Sequence, residues 1–555
     1  MRFIVLLLPL LGLVQAQDED AFKKLLKQNT VKAEQLYQQK EYVKAAALLE
    51  QLRRDPNLAR MEDERISVLY DLACNYSLAG EKQKAIEALR ESVAAGWADA
   101  DHMRQDSDLD NIRQEPEYKQ IYAEAEARMK AQRAFWTSPA LSTPYRDDLP
   151  EDEKIAGLSR LWSEAKYNFA FFDRLPGLDW DALYLTYIPK IRSTKSTLEY
   201  YQTLAEFYAR LRDGHTGVNY PNEVGALLGY PAVTTRLIEG RVFIDAVHDP
   251  GLKEQGIFQG LEVIAVDGIA VKDYGKERVA PRIGSSTPQD LDVRTYEWSL
   301  LSGPKDTPVE LTLIDATGNT LKRTLPRLTQ DERAKFPRAP WKRFEFRMLS
   351  GGIAYVVLNT FGDDNVVKDF EAALPEIEKS NAIIFDIRAN GGGSSNIGYA
   401  ILAYLTDKPF LTSQWSTRDY RPSFRAWGQR EKWYRGEPET FQPRGSHPYS
   451  KPVAVLTSAR TGSAAEDFAV AFDSMKRGKI VGEPTGGSTG QPLFFPLPGG
   501  GSARVCTKHD RYPDGKEFMG VGVQPDIPVH PTIADFRAGR DTVLEAALHT
   551  LTAKP

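Results

Sequence analysis

The chain has 555 residues, with 71 Lys and Arg against 76 Asp and Glu, and a formal net charge of −5 at pH 7. This mild acidic excess argues against a nucleic-acid-binding protein, which would carry a basic stripe. Hydrophobic residues make up 42% of the chain, which suffices for real packed cores. The length predicts three or four domains.

The one long apolar run lies near the N-terminus, where residues 4–14 follow Arg2 and lead to Ala16. Such a run is too short to span a bilayer, and its positive start and small final residue are typical of a signal peptide. We therefore expect residues 1–16 to be a signal peptide. The protein would be exported to the periplasm or the medium, with no membrane span after cleavage. A retained membrane anchor is the alternative.

Residues 17–130 carry apolar and Ala positions at helical spacing. The segment resembles tetratricopeptide helical hairpins, although a plain helical bundle fits equally well. Either form predicts a module that contacts a protein partner. Residues 131–150 are rich in Pro, Ser, Thr and Asp and predict a linker. Residues 151–224 predict a second helical domain, which carries His215 near its end.

Residues 225–328 change to short strand-like runs separated by turn signals. The stretch GLEVIAVDG at 260–268 resembles the central strand and turn of a PDZ domain, a module that binds peptide C-termini. A small β domain of another kind is the alternative. Cys74 and Cys506 fall in different predicted domains, and we expect both to be buried free thiols.

Strands and helices alternate from residue 344 to 535, which predicts an α/β core, and residues 536–555 predict a C-terminal helix or tail. The fold class is therefore multidomain α+β, in which helical regions precede a β domain and an α/β core. We expect core strands at 353–358, 382–387 and 453–456, with helices at 366–379 and 464–475.

The motif TGSAAE at 461–466 places Ser463 between a predicted buried strand and a predicted helix. The N-terminus of a helix favours the negative charge of a tetrahedral oxyanion, so a serine there is a candidate nucleophile. The alternative is that Ser463 only caps the helix.

The motif DIRANGGG at 386–393 places three glycines directly after a predicted strand, where backbone amides can face a carbonyl group. A tight turn is the alternative. A dinucleotide site is excluded because position 396 is Asn where the third glycine would stand. The sequence GGSTG at 486–490 matches a nucleophile elbow but leads into an extended, proline-interrupted segment rather than a helix. The sequence contains no H-E-x-x-H motif, and no metal or cofactor is implied.

Four motifs occur in order: DIRANGGG, TGSAAE, GEPTG at 482–486 and GVQPD at 522–526. Together they resemble the tail-specific protease family, which includes C-terminal processing peptidases and tricorn protease. The resemblance covers residues 212–529. It implies a serine peptidase with a PDZ-like domain, a ClpP/crotonase-like α/β core and polypeptide substrates. It also implies an oxyanion hole formed by the backbone N–H groups of Ala464 and Gly392.

The family divides by its catalytic base. Members with a Ser–Lys dyad carry a lysine where this chain has Ser488, whereas tricorn-like members use a histidine that precedes the PDZ-like domain. His215, in DGHT at 213–216, fits the second pattern. The acid of the tricorn-like site aligns with Met519, which cannot serve. Glu517, two residues earlier on the same predicted strand face, is the candidate third residue, and Glu466 is its rival.

Two other functions use the same residues. Retinoid-binding proteins resemble this core without catalysing a reaction, so a non-catalytic binding scaffold is one alternative. An esterase with the same serine is the other. The aromatic and arginine-rich insertion at 415–447 predicts a surface lid, a peptide channel or a dimer contact.

Overall fold

The computed structural model describes residues 7–338, 340–445 and 447–552, with side chains from residue 21 onward. Of the predicted signal peptide, residues 1–6 lie outside the described residues and residues 7–16 belong to the first helix. The chain divides between Ser138 and Pro139 into two compact units. No helix among the described residues has both the length and the apolar character needed to cross a bilayer.

The first unit is helical, as predicted. Ala45 and Ala85 are fully buried in its core and allow neighbouring helices to approach closely. The last helix extends through Trp136, so the linker predicted at 131–150 is shorter, because an Ala-, Lys- and Arg-rich sequence continues the helix past residue 130. The helices are α1 Leu7–Gln38, α2 Tyr42–Arg53, α3 Glu62–Leu78, α4 Lys82–Ala95, α5 Ala100–Gln105 and α6 Pro116–Trp136.

A second group of helices opens the second unit and is held together by aromatic side chains, including Trp180 stacked on Phe207 with ring centroids 4.4 Å apart. The last of these helices leads through 210–216 into a short strand. This connection carries His215. The elements are α7 Glu151–Asn168, α8 Trp180–Ser193, α9 Thr197–Ala209 and β1 Gly217–Asn219.

The next region is an antiparallel sheet in the order β3-β4-β5-β8-β9, with β6 paired to β5. Between β6 and β7 the chain forms α12, α13 and the π-helical turns Gly275–Val279 and Arg294–Ser299, none of which the strand-like pattern predicted. The elements are α10 Asn222–Gly225, β2 Leu228–Gly229, β3 Val233–Ile238, β4 Arg241–Val247, α11 Pro250–Glu254, β5 Glu262–Val266, β6 Ile269–Ala270, α12 Val271–Tyr274, α13 Pro288–Val293, β7 Gly303–Pro304, β8 Val309–Ile314 and β9 Thr320–Leu325.

The α/β core is a six-stranded sheet in the order β10-β11-β12-β17-β18-β22, parallel except for β10. The predicted strands and helices are present within a few residues of their expected bounds. The elements are α14 Gln330–Ala334, β10 Phe344–Leu349, β11 Ile353–Leu358, α15 Asn365–Ile377, β12 Ala382–Asp386, α16 Ser395–Leu402, β13 Phe410–Leu411, β14 Gln414–Asp419, α17 Pro422–Ala426, β15 Lys432–Gly436, β16 Thr440–Phe441, β17 Val453–Thr457, α18 Ala464–Ser474, β18 Lys479–Gly482, β19 Pro492–Pro496, β20 Ser502–Cys506, β21 Lys508–Arg511, β22 Ile527–Pro528, α19 Ile533–Ala538 and α20 Thr542–Thr552.

The C-terminal helices belong to the core rather than to a separate tail. Helix α19 crosses the expected boundary at residue 535, and Val543 and Ala547 of α20 are buried in one cluster with Ile384 and Leu456 of the sheet. One face of the parallel sheet needs such a cover because its strands are apolar on both sides. The mixed α+β architecture with an N-terminal helical region is confirmed, and Cys74 and Cys506 are buried and unpaired.

Two small sheets bring distant parts of the second unit together. Strand β1 pairs with β20, which in turn pairs with β19. Strand β14 pairs on one side with β15 and on the other with β21. The pairing of β1 with β20 carries the His215 connection to the edge of the core where β17 ends.

Candidate active site

Ser463 occupies a strained turn between β17 and α18. Its backbone adopts φ 55° and ψ −131°, a conformation that L-residues other than glycine rarely adopt. Its side chain makes no capping hydrogen bond, which removes the simple helix-cap interpretation. Its N–H donates to the Ser488 carbonyl at 2.9 Å. The turn therefore holds the Ser463 hydroxyl away from its own helix.

The glycine loop after β12 packs directly against this turn. A Cβ built on Gly392 would lie 2.5 Å from the Ser463 Cβ, so only glycine fits there. The loop is held by Asn390, whose side chain donates to the Leu358 carbonyl at 3.0 Å. The motif DIRANGGG thus serves as the wall against which Ser463 is positioned.

His215 lies beside Ser463, although 248 positions separate the two residues in sequence. The ring Nε2 is 3.1 Å from Ser463 Oγ. The backbone of the His215 connection is anchored by Asp213, a fully buried carboxylate that accepts from the His215 N–H at 3.1 Å and from the Thr216 hydroxyl at 2.7 Å. The other Asp213 oxygen accepts from the Ser286 hydroxyl at 3.1 Å. The helical segment between β6 and β7 therefore helps to fix the histidine.

The partner of the other ring nitrogen is Ser488, which sequence reasoning did not assign to the site. His215 Nδ1 lies 2.7 Å from Ser488 Oγ. A Cβ built on Gly214 would lie 2.6 Å from the same Oγ, so a glycine before the histidine makes room for this contact. The sequence offered one sign that Ser488 belongs to the site: it occupies the position at which the Ser–Lys members of the family carry their lysine.

Glu466 lies beneath Ser488 and holds its turn. Its carboxylate accepts from the Gly487 N–H at 2.7 Å and from the Ser488 N–H at 2.8 Å, and the Thr485 hydroxyl also donates to it. Glu466 is fully buried. It is therefore linked to His215 through Ser488 rather than by direct contact.

Glu517, the expected third residue, lies elsewhere. Its carboxylate contacts His509 Nε2 at 2.8 Å and also pairs with Arg511. The expectation assumed a continuous strand through 517 and 519, but the chain turns after β21 and only a single bridge joins Arg511 to Glu517. The structure thus places Ser488, not Glu517, on His215. Met519 is buried, and its sulfur accepts from the Thr489 N–H at 3.2 Å.

The two backbone N–H groups expected to form the oxyanion hole differ in whether they already donate a hydrogen bond. Ala464 is buried at the first position of α18, and its N–H has no acceptor among the described residues. The Gly392 N–H, in contrast, donates to Asn390 Oδ1 at 2.9 Å and is not free. The next residue, Gly393, has an N–H without an acceptor in the described part of the chain. The expected Gly392 donor is therefore already engaged by the Asn390 side chain.

Burial controls the charge states at the site. It lowers the pKa of the His215 ring to about 3, and the cations Arg504, Arg294 and Lys508 act in the same direction. It raises the pKa of Glu466 to about 8, while the three hydrogen-bond donors favour the ionised form. His215 is therefore neutral, and able to accept a proton, at physiological pH.

The only group of potential metal ligands in the described chain lies in the first unit, where ligand atoms of Cys74, Asp106 and Asp108 are within 4.8 Å of one another. These groups already have partners: Tyr70 and Cys74 donate to Asp106, and Tyr37 donates to Asp108. The arrangement is explained as a hydrogen-bond network.

Part of the chain is similar in sequence to known peptidases. Residues 352–529 match the sequence profile of peptidase family S41. The chloroplastic carboxyl-terminal-processing peptidase 2 of Arabidopsis thaliana is 25% identical over 331 residues, which is 58% of this chain and 56% of that protein. The putative tricorn protease homolog 2 of Streptomyces coelicolor is 27% identical over 397 residues, 67% of this chain and 30% of that protein. These matches span about half or less of each relative's length.

Among solved structures, mature CPAF complexed with lactacystin superposes with a TM-score of 0.56 at 17% identity, covering 72% of this chain and 97% of that one. At this identity the likeness shows a shared fold. The family match includes the turns that carry Gly392, Ser463 and Ser488. The segment 352–529 is therefore similar to peptidase family S41.

Proposed function

We propose that this chain is a serine endopeptidase that hydrolyses peptide bonds of extended polypeptides through an acyl-enzyme on Ser463. The observation that carries the proposal is the 3.1 Å approach of His215 Nε2 to Ser463 Oγ, in a site where the ring is neutral. A neutral imidazole in contact with a serine hydroxyl is the arrangement that general-base activation requires.

In the proposed mechanism the Ser463 hydroxyl donates to Nε2, and the Nδ1–H donates to Ser488 Oγ. As Ser463 Oγ attacks the scissile carbonyl, its proton passes to Nε2. The Ala464 N–H, aided by the glycine loop, stabilises the oxyanion. His215 then returns the proton to the leaving amine, and a water molecule activated by the same ring hydrolyses the acyl-enzyme.

Ser488 takes the place of the carboxylate in an ordinary triad. It fixes the orientation of the ring by accepting a hydrogen bond from Nδ1–H, while Glu466 holds the turn from below. The missing lysine at position 488 supports the tricorn-like, histidine-based branch of the family.

The remaining parts of the proposal concern the surroundings of the site. The antiparallel sheet β3 to β9 would be a PDZ-like domain, and the core a ClpP/crotonase-like fold. Two of the similar proteins are named for carboxyl-terminal processing, which supports a polypeptide substrate here. We also propose that the protein is exported and that the first unit contacts a protein partner.

The direct test is Ser463→Ala. We expect the purified variant to lose cleavage of an unstructured polypeptide by roughly 10⁴-fold or more, because the covalent step is removed. Circular dichroism and the unfolding temperature serve as folding controls. Cleavage by the variant at the wild-type rate would contradict the proposal. Comparing matched ester and amide substrates on the wild type separates a peptidase from an esterase.

A non-catalytic polypeptide-binding scaffold is the second candidate. One observation favours it, namely that the described residues place a hydroxyl rather than a carboxylate on His215 Nδ1. Such a scaffold would bind polypeptides equally well before and after Ser463→Ala and would show no turnover in either form.

A further inference from the structure

A basic hairpin projects from the second unit. We use that name for residues 414–436, which comprise β14, α17 and β15. The segment carries six Lys and Arg against two Asp and Glu, a net charge of +4, whereas the whole chain has a net charge of −5. Positive charge is thus concentrated in one short element of an acidic protein.

Most of these cations have no carboxylate partner. Arg418 pairs with Glu431, and Arg421 pairs with Asp419 at 3.1 Å. The other four form no ion pair among the described residues, and all four are exposed: Arg425, Arg430, Lys432 and Arg435. Unneutralised cations on an exposed hairpin provide a surface that attracts acidic partners.

The hairpin also exposes large aromatic side chains. Trp427 is 68% exposed and Tyr434 is 56% exposed, and Tyr420 and Trp433 are also open to solvent. Solvent-exposed Trp and Tyr beside Arg are the residue types enriched in protein-binding surfaces, where they supply apolar contact area at low entropic cost. Together with the cations, they indicate a contact surface rather than a part of the core.

Strand β15 offers an open edge. In the sheet order β15-β14-β21 it pairs only with β14, so its outer backbone groups are available to an added strand. Its residues 432–435 are exposed on both faces. An open edge suits an extended polypeptide, which supplies the missing hydrogen bonds, and does not suit lipid, where unpaired backbone groups are costly.

The same sheet begins next to the candidate active site. Lys508, the first residue of β21, has its carbonyl 2.9 Å from the Cβ position of Gly490, two residues after Ser488. A segment added outside β15 would lie three strand spacings, roughly 14 Å, from β21, and an extended chain covers that distance in about four or five residues. A polypeptide docked on β15 therefore needs only a few further residues to reach β21, which contacts the Ser488 turn at Gly490.

We propose that the basic hairpin is a docking site for acidic, unfolded polypeptide segments, which add as a strand to the free edge of β15. Acidic side chains of the segment pair with the four cations, and its apolar side chains contact the exposed aromatic rings. The identity of the occupant as substrate rests on the proposed peptidase function, whereas the docking itself is independent of catalysis.

The docking is measured on Ser463→Ala protein, so that no cleavage interferes. Fluorescence anisotropy is recorded with labelled 20-residue unstructured peptides, one acidic and one basic. We expect the acidic peptide to bind at least ten-fold more tightly, and Lys432→Glu with Arg435→Glu to remove this preference. The affinity should fall as salt rises. The matched control, Lys379→Glu with Lys476→Glu on exposed helix ends, should leave binding unchanged.

Two outcomes overturn the proposal: equal affinity of the charge-reversed variant and its parent for the acidic peptide, or loss of binding to anionic phosphatidylserine vesicles without any change in peptide binding. The second would identify a membrane-binding hairpin. If the charge reversal impairs folding, Trp433→Ser with Tyr434→Ser is used instead and should weaken binding of the acidic peptide at least ten-fold; unchanged affinity would overturn the proposal.

In the active protein, charge reversal should raise KM for an acidic polypeptide about ten-fold and leave kcat/KM for a short neutral peptide unchanged. An equal effect on both substrates would contradict a docking role. Absence of any turnover by wild-type protein would contradict the peptidase proposal but not the anisotropy result, so the two failures are distinguishable.

Discussion

The turn that carries Ser463 and the turn that carries Ser488 meet the same imidazole ring from opposite sides. The Ser463 turn is strained and leads into a long helix whose first N–H, that of Ala464, has no acceptor in the part of the chain that the structure describes. The Ser488 turn leads into an extended strand and is held by hydrogen bonds from its backbone to Glu466. One hydroxyl is thus placed to react, and the other is placed to position the ring.

This difference shows how a buried acid acts without touching the base. In an ordinary triad the carboxylate stabilises the imidazolium directly. Here Glu466 fixes the 485–488 turn, and only the Ser488 hydroxyl reaches Nδ1. The ring and Ser463 therefore carry the proposed chemistry, and Ser488 and Glu466 position the ring.

The largest effect among the positioning residues is expected for Glu466→Gln. Above the Glu466 pKa of about 8, the ionised carboxylate accepts from three donors. The Gln amide turns an N–H₂ group toward one of those donors, so at least one buried donor loses its acceptor at a cost of about 1–3 kcal/mol. We expect the free energy of unfolding to fall by that amount and kcat to fall by roughly 10- to 100-fold. Glu376→Gln, on an exposed part of α15, is the control. A Glu466→Gln variant with wild-type kcat would contradict the positioning role of Glu466.

Ser488→Ala should have a smaller effect. It removes one hydrogen bond to His215 Nδ1, worth about 1 kcal/mol, and leaves the backbone bonds of the turn to Glu466 in place. We expect kcat to fall by roughly 5- to 20-fold, with KM and the unfolding temperature little changed. Ser488→Thr, which keeps a hydroxyl, should retain more activity than Ser488→Ala. A Ser488→Ala enzyme with unchanged kcat would remove Ser488 from the positioning role.

The pH dependence of kcat/KM tests the environment of the His215 ring. Because burial and nearby cations lower the pKa of His215 to about 3, the ring remains the neutral base well below pH 6. A free histidine titrates near pH 6.5. The acid limb of kcat/KM for a short peptide should therefore lie well below pH 6.5. In the unfolded chain the ring protonates near pH 6.5, so this histidine lowers stability as pH falls from about 6.5 toward 3. An acid limb centred at pH 6.5 would contradict this environment.

The smallest effect is expected for Glu517→Gln. Glu517 contacts His509 and Arg511 rather than the His215 ring. We expect kcat/KM to change by less than about three-fold, within the range of an exposed substitution. A hundred-fold loss would restore Glu517 as the third residue of the site.

Much of the core was predictable because its signals are local. The buried apolar strands, the helix after Ser463 and the glycine loop all follow from short stretches of sequence. The approach of His215 to Ser463 was expected from the resemblance, and the structure brings the two together.

The rest could not be predicted because it depends on contacts between distant segments or on backbone groups. Ser488 meets a ring 273 positions away. Glu466 accepts from backbone N–H groups, and the residue types alone do not show which N–H groups a side chain will reach. The Gly392 amide is occupied by the side chain of Asn390, which a glycine-rich motif does not reveal. The error at Glu517 arose because strand alternation was extended across a turn.

Whether His215 activates Ser463 is measured by covalent labelling with a fluorophosphonate, followed by intact-mass analysis and peptide mapping. The account predicts a single adduct on Ser463, formed at a rate that falls by at least about 10³-fold in His215→Ala, because the hydroxyl then lacks its base. Absence of labelling in folded wild-type protein, or an equal rate in His215→Ala, would contradict the account.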